Sequence, residues 1–243
     1  MTTGDGSNSE FKRAMVVTAH PDDAEYGCSG SVAKWCRLGW EVVYVLCTDG
    51  SKGTEDRNIT SEHLAEIRAE EQREAGKTLG LKTVEFLGYP DGYLEPTLEV
   101  RKDISREIRK HKPDVLITTN PTRDLLSSGY IGHPDHFAAG EAALSAVFPS
   151  ARDHLTFPEL FYDEGLEPHK VLEVWVMSFG DKANFWNPLT EEDVETSIAA
   201  LKQHVSQVTD PDDAGKWMKE RRAELGNKIG ADYAESFQKF TLS

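Results

Sequence analysis

Cysteine is scarce in this chain. Cys28, Cys36 and Cys47 are the three it has, an odd number with no C-x-x-C spacing. That argues against a disulfide framework and makes a reducing cytoplasm the natural compartment. Cys28 is expected to pack as a small residue at a helix start. Long apolar runs are also missing, since none approaches the roughly 20 residues of a membrane span. The first ten residues are polar and hold no apolar stretch, so they do not read as a secretory signal; residues 1–12 are expected as a disordered tail. Basic charge is short, with 27 Lys and Arg against 42 Asp and Glu and a net charge of −15. Nucleic-acid binding by phosphate neutralisation is therefore not expected. No Pro/Gly/Ser-rich linker and no repeat divides the chain, so residues 13–243 are expected to form one domain.

What is present is an alternation of strands and helices. Strands are expected over 13–18, 41–48, 83–87, 115–119 and 172–179. They are apolar throughout and not alternating, as in a parallel sheet covered on both faces. Helices are expected over 29–38, 61–79, 98–110, 137–147 and 191–205, the last carrying His204 in line with Ile198 and Leu201. Asp210-Pro211 reads as a cap followed by proline in the first helical position. A final helix is expected through Leu225, Ile229, Tyr233 and Phe237. The pattern predicts an α/β, Rossmann-like three-layer sandwich with a mainly parallel sheet. G-x-G-x-x-G is absent after the first strand, and Gly27-x-x-Gly30 is too sparse for a pyrophosphate loop.

Against that frame the tripeptide His-Pro-Asp occurs twice, as Ala19-His20-Pro21-Asp22-Asp23 and His133-Pro134-Asp135-His136. Chance would place two copies in roughly one chain in a few thousand of this composition. In an open parallel sheet, ligands bind beyond the carboxyl ends of the strands. His20 directly follows the first strand, and Pro21 biases it to an extended backbone. The turn after it lets Asp23 fold back, and His136 arrives at the same rim from the loop after the fourth strand. Two imidazoles and a carboxylate with one open position suit a catalytic zinc site, and other divalent metals accept the same donors. Of Asp22 and Asp23, one is expected to ligate and the other to stay free as a general base. His133 is available to polarise a carbonyl, stabilise an oxyanion or protonate a leaving nitrogen. Helix capping explains one Asp but not two such strings. His63, His111, His154 and His169 lack partners at ligand spacing and are expected at the surface or in caps.

These two strings, with residues 25–35, Arg68-Ala69-Glu70-Glu71, Leu87-Gly88-Tyr89-Pro90-Asp91-Gly92 and His204-Val205-Ser206-Gln207, resemble the LmbE/PIG-L family of zinc-dependent de-N-acetylases. The resemblance runs from residue 14 to about 207. It implies an LmbE-like fold with His20, Asp23 and His136 as zinc ligands, Asp22 as base and His133 as the oxyanion or acid histidine. It also implies Arg68, Asp91 and His204 at the substrate. Ala24 departs from the Glu that many members carry, which bears on substrate more than on metal. The implied reaction is hydrolysis of the N-acetyl group of an amino sugar or glycoconjugate by metal-activated water, in a cytoplasmic enzyme without a membrane span and open to homo-oligomerisation. The alternatives are an amidase for a larger acyl or thiol conjugate, and a metal-binding protein without turnover.

Overall fold

Strands that are apolar along their whole length have no face to give to water, and helices must cover both sides. The computed structural model, which describes residues 11–125, 129, 131–178 and 182–243, is built this way. In chain order the described elements are β1 (Arg13–Thr18), α1 (Asp23–Gly27), α2 (Ser29–Arg37), β2 (Glu41–Thr48), α3 (Ser61–Leu79), β3 (Thr83–Tyr89), α4 (Leu98–His111) and β4 (Val115–Thr118). Then come α5 (Pro134–Ser145), a π-helical segment (Ala146–Ser150), α6 (Pro158–Tyr162), β5 (Glu173–Met177), β6 (Phe185–Leu189), α7 (Glu191–Leu201), α8 (Pro211–Asn227) and β7 (Tyr233–Thr241).

Among the described residues the strands form one seven-stranded sheet, ordered β3-β2-β1-β4-β5-β7-β6. The first five are parallel, and β7 runs antiparallel to both β5 and β6. The chain leaves β1 outward through β2 and β3, then returns to lay β4 on the other side of β1. The β1–β4 boundary is thus the point where the winding reverses, and a crevice opens there at the carboxyl ends. Alternate residues of β1 feed two cores. Ala14 and Val16 pack with Trp35, Leu79 and Trp175, and Met15 and Val17 pack with Ile104, Ile108 and Ala139.

Several expectations need correction. The helix expected through Tyr233 and Phe237 ends at Asn227, and Gly230 at φ +73 turns the chain into β7. Tyr233 and Phe237, four residues apart, lie on one face of that strand, and such spacing does not distinguish helix from strand over so short a run. Strand β6 was not anticipated. Helix α7 stops at Leu201, where i→i+3 bonds from Gln203 and His204 tighten its end, so His204 lies in the following turn. Helix α5 begins at Pro134, earlier than expected, because His133 caps it. Gly88 and Tyr89 belong to β3, and the strand expected to reach residue 179 ends at Met177; Phe179 lies outside the described residues. Of the expected tail, residues 1–10 also lie outside them. Phe11 is buried and the Lys12 carbonyl accepts from Glu41 N–H, so these two residues join the fold.

The C-terminal segment completes the sheet and also secures the helices at the crevice. The buried Glu235 of β7 accepts from Gly30 N at 2.9 Å and Ser31 N at 2.7 Å at the start of α2, where a helix favours negative charge. Arg222 of α8 neutralises it at 2.6 Å. No described helix is long and apolar enough to cross a membrane.

Candidate active site

Both His-Pro-Asp strings meet at the β1–β4 crevice. His20 leaves the end of β1, and Thr119, just past β4, donates its hydroxyl to the His136 carbonyl at 2.6 Å, tying the start of α5 to the strand. Gly140 makes that approach close, since a Cβ there would stand 2.4 Å from the Thr119 carbonyl oxygen.

Three donors converge on one point. His20 Nδ1 lies 3.1 Å from His136 Nε2. His136 Nε2 lies 3.0 Å from Asp23 Oδ1, and Asp23 Oδ2 is 3.6 Å from His20 Nδ1. Ligands about 2.1 Å from a tetrahedral ion stand about 3.4 Å apart, so this donor set fits a divalent metal without rearrangement. His133 and His136 join His20 as ring nitrogens all within 4.8 Å of one another. The His136 and His133 side chains are 28% and 37% exposed, so this side of the cluster faces solvent.

The other nitrogen of His20 faces inward. His20 Nε2 is 3.0 Å from Asp91 Oδ1 and 3.3 Å from Asp135 Oδ2. Asp135 is fully buried and also accepts from Gly92 N at 2.7 Å and Leu94 N at 3.2 Å; Asp91 accepts from Lys52 N at 3.0 Å. A carboxylate behind a histidine fixes its ring and tautomer, the usual support of a metal-binding imidazole. Burial alone would lower the His20 pKa, but Asp135, Asp23 and Asp91 push it up to about 12. Burial would raise Asp23, yet His136 and His20 hold it well below the carboxylate range. Asp91 is likewise brought down to about 2, against its burial, chiefly by His20.

Asp22 sits beside the cluster in unusual backbone, with φ +89 and ψ −23, a region that side-chain-bearing residues rarely adopt. Burial and the charge of Asp23 push its carboxyl up to about 7, against the pull of Arg68 and His204. Arg68 Nη2 reaches Asp22 Oδ2 at 3.4 Å, donates to the Pro21 carbonyl at 2.7 Å and places Nη1 on the Gly50 carbonyl at 2.9 Å. It does not pair with Glu71, which instead accepts from Ser206 N and Oγ. Glycine at 50 makes room, because a Cβ there would stand 2.9 Å from the guanidinium.

His133 is the N-cap of α5, with Nδ1 accepting from Asp135 N–H at 3.2 Å. That bond leaves the proton on Nε2. Burial and the neighbouring His20 hold the ring below the ordinary histidine pKa, which favours the neutral form with its proton on Nε2. The Asp135 carboxylate lies nearer to His20, with Oδ2 at 3.3 Å from His20 Nε2 and Oδ1 at 3.9 Å from His133 Nδ1.

Arg68, Asp91 and His204 are 4%, 4% and 0% exposed, so they stand behind the solvent-facing row. His204 Nε2 is 3.4 Å from Glu25 Oε2, an ion-pair contact rather than an aligned hydrogen bond. Sequence reasoning missed Asp135 as support for His20, and also Glu25 and Gln72, two fully buried polar residues. Glu25 follows the first string directly, and Gln72 lies four residues after Arg68, a spacing that was a usable signal. Outside the site, His111 is not isolated as expected: Nε2 lies 3.2 Å from both Glu85 and Glu107. Lys110 Nζ already occupies that pair of carboxylates, making it an ion-pair network. The three cysteines are free, with Cys28 buried between α1 and α2.

Residues 15–147 match the family model described as PIG-L: GlcNAc-PI de-N-acetylase. The diacetylchitobiose deacetylase of Thermococcus kodakarensis is 31% identical over 234 residues, covering 95% of this chain and 84% of the relative. The mycothiol S-conjugate amidase of Streptomyces coelicolor is 29% identical over 181 residues, covering 65% of this chain and 59% of the relative. Among solved structures, the N,N'-diacetylchitobiose deacetylase of Pyrococcus horikoshii, complexed with its inhibitor MPG, superposes with a TM-score of 0.84 at 31% identity. That match covers 96% of this chain and 85% of the other.

Proposed function

The chain belongs to the PIG-L family of GlcNAc-PI de-N-acetylases, and from that premise we propose that it removes the acetyl group of an N-acetylglucosamine-containing substrate with the help of one divalent metal. The carrying observation is the convergence of His20 Nδ1, His136 Nε2 and the Asp23 carboxylate within 3.0–3.6 Å, with Asp22 beside them. These three residues hold the metal. The Nδ1 side of His20 is the binding side, because on the Nε2 side Asp135 is already committed to two backbone N–H groups. Two imidazoles and a carboxylate suit zinc, and cobalt or iron fit the same donors. When bound, the ion supplies Lewis acidity and makes a neighbouring water easier to deprotonate.

The chain's own residues then divide the work. Asp22, with a carboxyl brought to about 7, takes the proton of the attacking water and is matched to doing so near neutrality. His133 donates Nε2–H towards the amide carbonyl oxygen, where negative charge develops. Asp91 and Asp135 keep the His20 ring turned with Nδ1 outward. Arg68 and His204 lie behind Asp22 and act on it rather than on the sugar. Residues 13–243 form one catalytic domain on this reading, because β6 and β7 extend the sheet that carries the site and α8 is tied to it through Arg222 and Glu235.

Acetate release from N-acetylglucosamine, N-acetylated disaccharides and larger glycoconjugates tests the proposal. Acetate from at least one of these, abolished by Asp22→Asn, supports it. Release of a larger acyl or thiol conjugate without acetate favours the amidase alternative, and no hydrolysis of any amide overturns both.

A further inference from the structure

One helix holds both polar ends of the peptide group between Pro21 and Asp22. The carbonyl oxygen accepts from Arg68 Nη2 at 2.7 Å, and the Asp22 N–H donates to Gln72 Oε1 at 3.1 Å. Arg68 and Gln72 are four residues apart on α3, the spacing that puts side chains on one helix face, and both are buried. The Gln72 amide is itself fixed, because Nε2 donates to Glu25 Oε1 at 3.0 Å and so commits the oxygen to Asp22. Glu25 in turn contacts His204. A line of buried polar groups thus runs from the turn after α7, through α1 and α3, to the main chain of Asp22.

The residue gripped in this way is the one at φ +89. An L-residue stays in such backbone only where its surroundings over-determine it. The Asp22 side chain makes no capping bond to α1, and its contact with Arg68 Nη2 is long, at 3.4 Å. The grip on the main chain is what holds this backbone. Rotating this peptide towards negative φ would break both bonds and take from the buried Gln72 carbonyl oxygen and the buried Arg68 Nη2 their main-chain partners. With the peptide plane fixed, the Cα–Cβ direction of Asp22 is fixed, and so is the approach of its carboxylate to the neighbouring cluster.

We propose that Gln72, together with Arg68, clamps the Pro21–Asp22 peptide, and that Gln72 is a positioning residue for hydrolysis that aims the Asp22 carboxylate without touching substrate or metal. The proposal rests on the reading of Asp22 as general base. A polar residue that merely satisfied Glu25 would need only a donor. Gln72 uses its acceptor on Asp22 as well.

The test is a double-mutant cycle on kcat between Gln72→Met and Asp22→Asn, with metal content and melting temperature measured on the same preparations. Methionine keeps the length of the side chain and removes both donor and acceptor. Misaim of the base is expected to lower kcat roughly ten- to a hundredfold in Gln72→Met and to change KM less than about threefold. In the Asp22→Asn background the same substitution is expected to cost less than about twofold, because the group it positions is gone. Equal losses in both backgrounds, or an unchanged kcat in Gln72→Met, overturn the clamp while leaving the base assignment standing. Full kcat in Asp22→Asn alone overturns the base assignment and the clamp with it. Should Gln72→Met not fold, Gln72→Glu combined with Glu25→Gln restores one donor–acceptor pair and an acceptor for the Asp22 N–H. Turnover within about fivefold of wild type then supports the clamp, and a larger loss overturns it.

Discussion

His20 Nδ1 and His136 Nε2 stand 3.1 Å apart, although 116 residues separate them in the chain. Two lone pairs do not settle that close together unless a proton or a cation lies between them. The carboxylates around His20 push its pKa up to about 12, so a proton on this ring donated to His136 accounts for the approach. On the proposed reading, a divalent metal would take that proton's place.

Metal uptake is therefore expected to expel about one proton between pH 7 and 9, since a ligating imidazole must be neutral. Calorimetry in buffers of different ionisation enthalpy reads this directly, and uptake without proton release would contradict it. The sign for stability follows from the same shift. A histidine raised from about 6.5 contributes stability fully below that value and loses it as pH rises towards the folded pKa. The melting temperature of the metal-free protein is expected to fall from pH 7 to 9 as far as His20 governs it, and metal is expected to flatten that fall.

Asp91→Asn is expected to keep one metal per chain at saturation but to weaken its affinity about 10- to 100-fold, the usual cost of losing a carboxylate behind a ligating histidine. Asp91 Oδ1 lies 3.0 Å from His20 Nε2, so its loss loosens the ring without removing a donor. Competition against a metallochromic chelator measures the change. Unaltered affinity, with kcat also intact, would leave Asp91 as a turn residue only.

Asp22→Asn is expected to lower kcat on the order of a hundredfold or more, as for a lost general base, with metal content nearly unchanged. The wild-type rate should rise with pH through a limb at or below about 7, because a bound cation can only move this carboxylate downward from its metal-free value. A pH profile of kcat/KM checks both points. An identical acid limb in the Asn variant would assign that limb to another group, and metal loss would exchange the roles of Asp22 and Asp23.

His133→Ala is expected to keep the metal and lower kcat more than it raises KM, because charge on the carbonyl oxygen appears in the transition state. It also removes the cap of α5, at a cost of about 1 kcal/mol of stability. Melting temperature and kcat on the same sample separate the two effects. A lower melting temperature with unchanged kcat would reduce His133 to a cap.

The sheet from β1 to β4 was legible because its strands are mostly apolar without alternation and are separated by helices with an apolar stripe, as Val100, Ile104 and Ile108 form on α4. The last strand was not, because Tyr233 and Phe237 are four apart and fit a helix stripe as well as one face of a strand. The converging donors were readable from the two His-Pro-Asp strings, yet identical tripeptides here do different work. In the first, the His follows a strand and its Nδ1 joins the cluster. In the second, the His caps a helix, Pro134 starts it, and the Asp is turned inward to His20. Local sequence does not encode that difference; it depends on which element delivers the string to the crevice. The supports Glu25 and Gln72 were hidden for a similar reason, since a Glu or Gln on a helix is ordinarily a solvated residue.

The central claim is a metal-dependent deacetylase centred on His20, Asp23 and His136. The most direct measurement is acetate release by chelator-stripped protein titrated with a divalent metal, wild type beside His136→Ala. The stripped wild type is expected to be inactive and to recover in proportion to metal up to about one equivalent, while His136→Ala binds metal poorly and does not recover. Undiminished acetate release after complete stripping, or full metal binding and turnover in His136→Ala, would contradict the account.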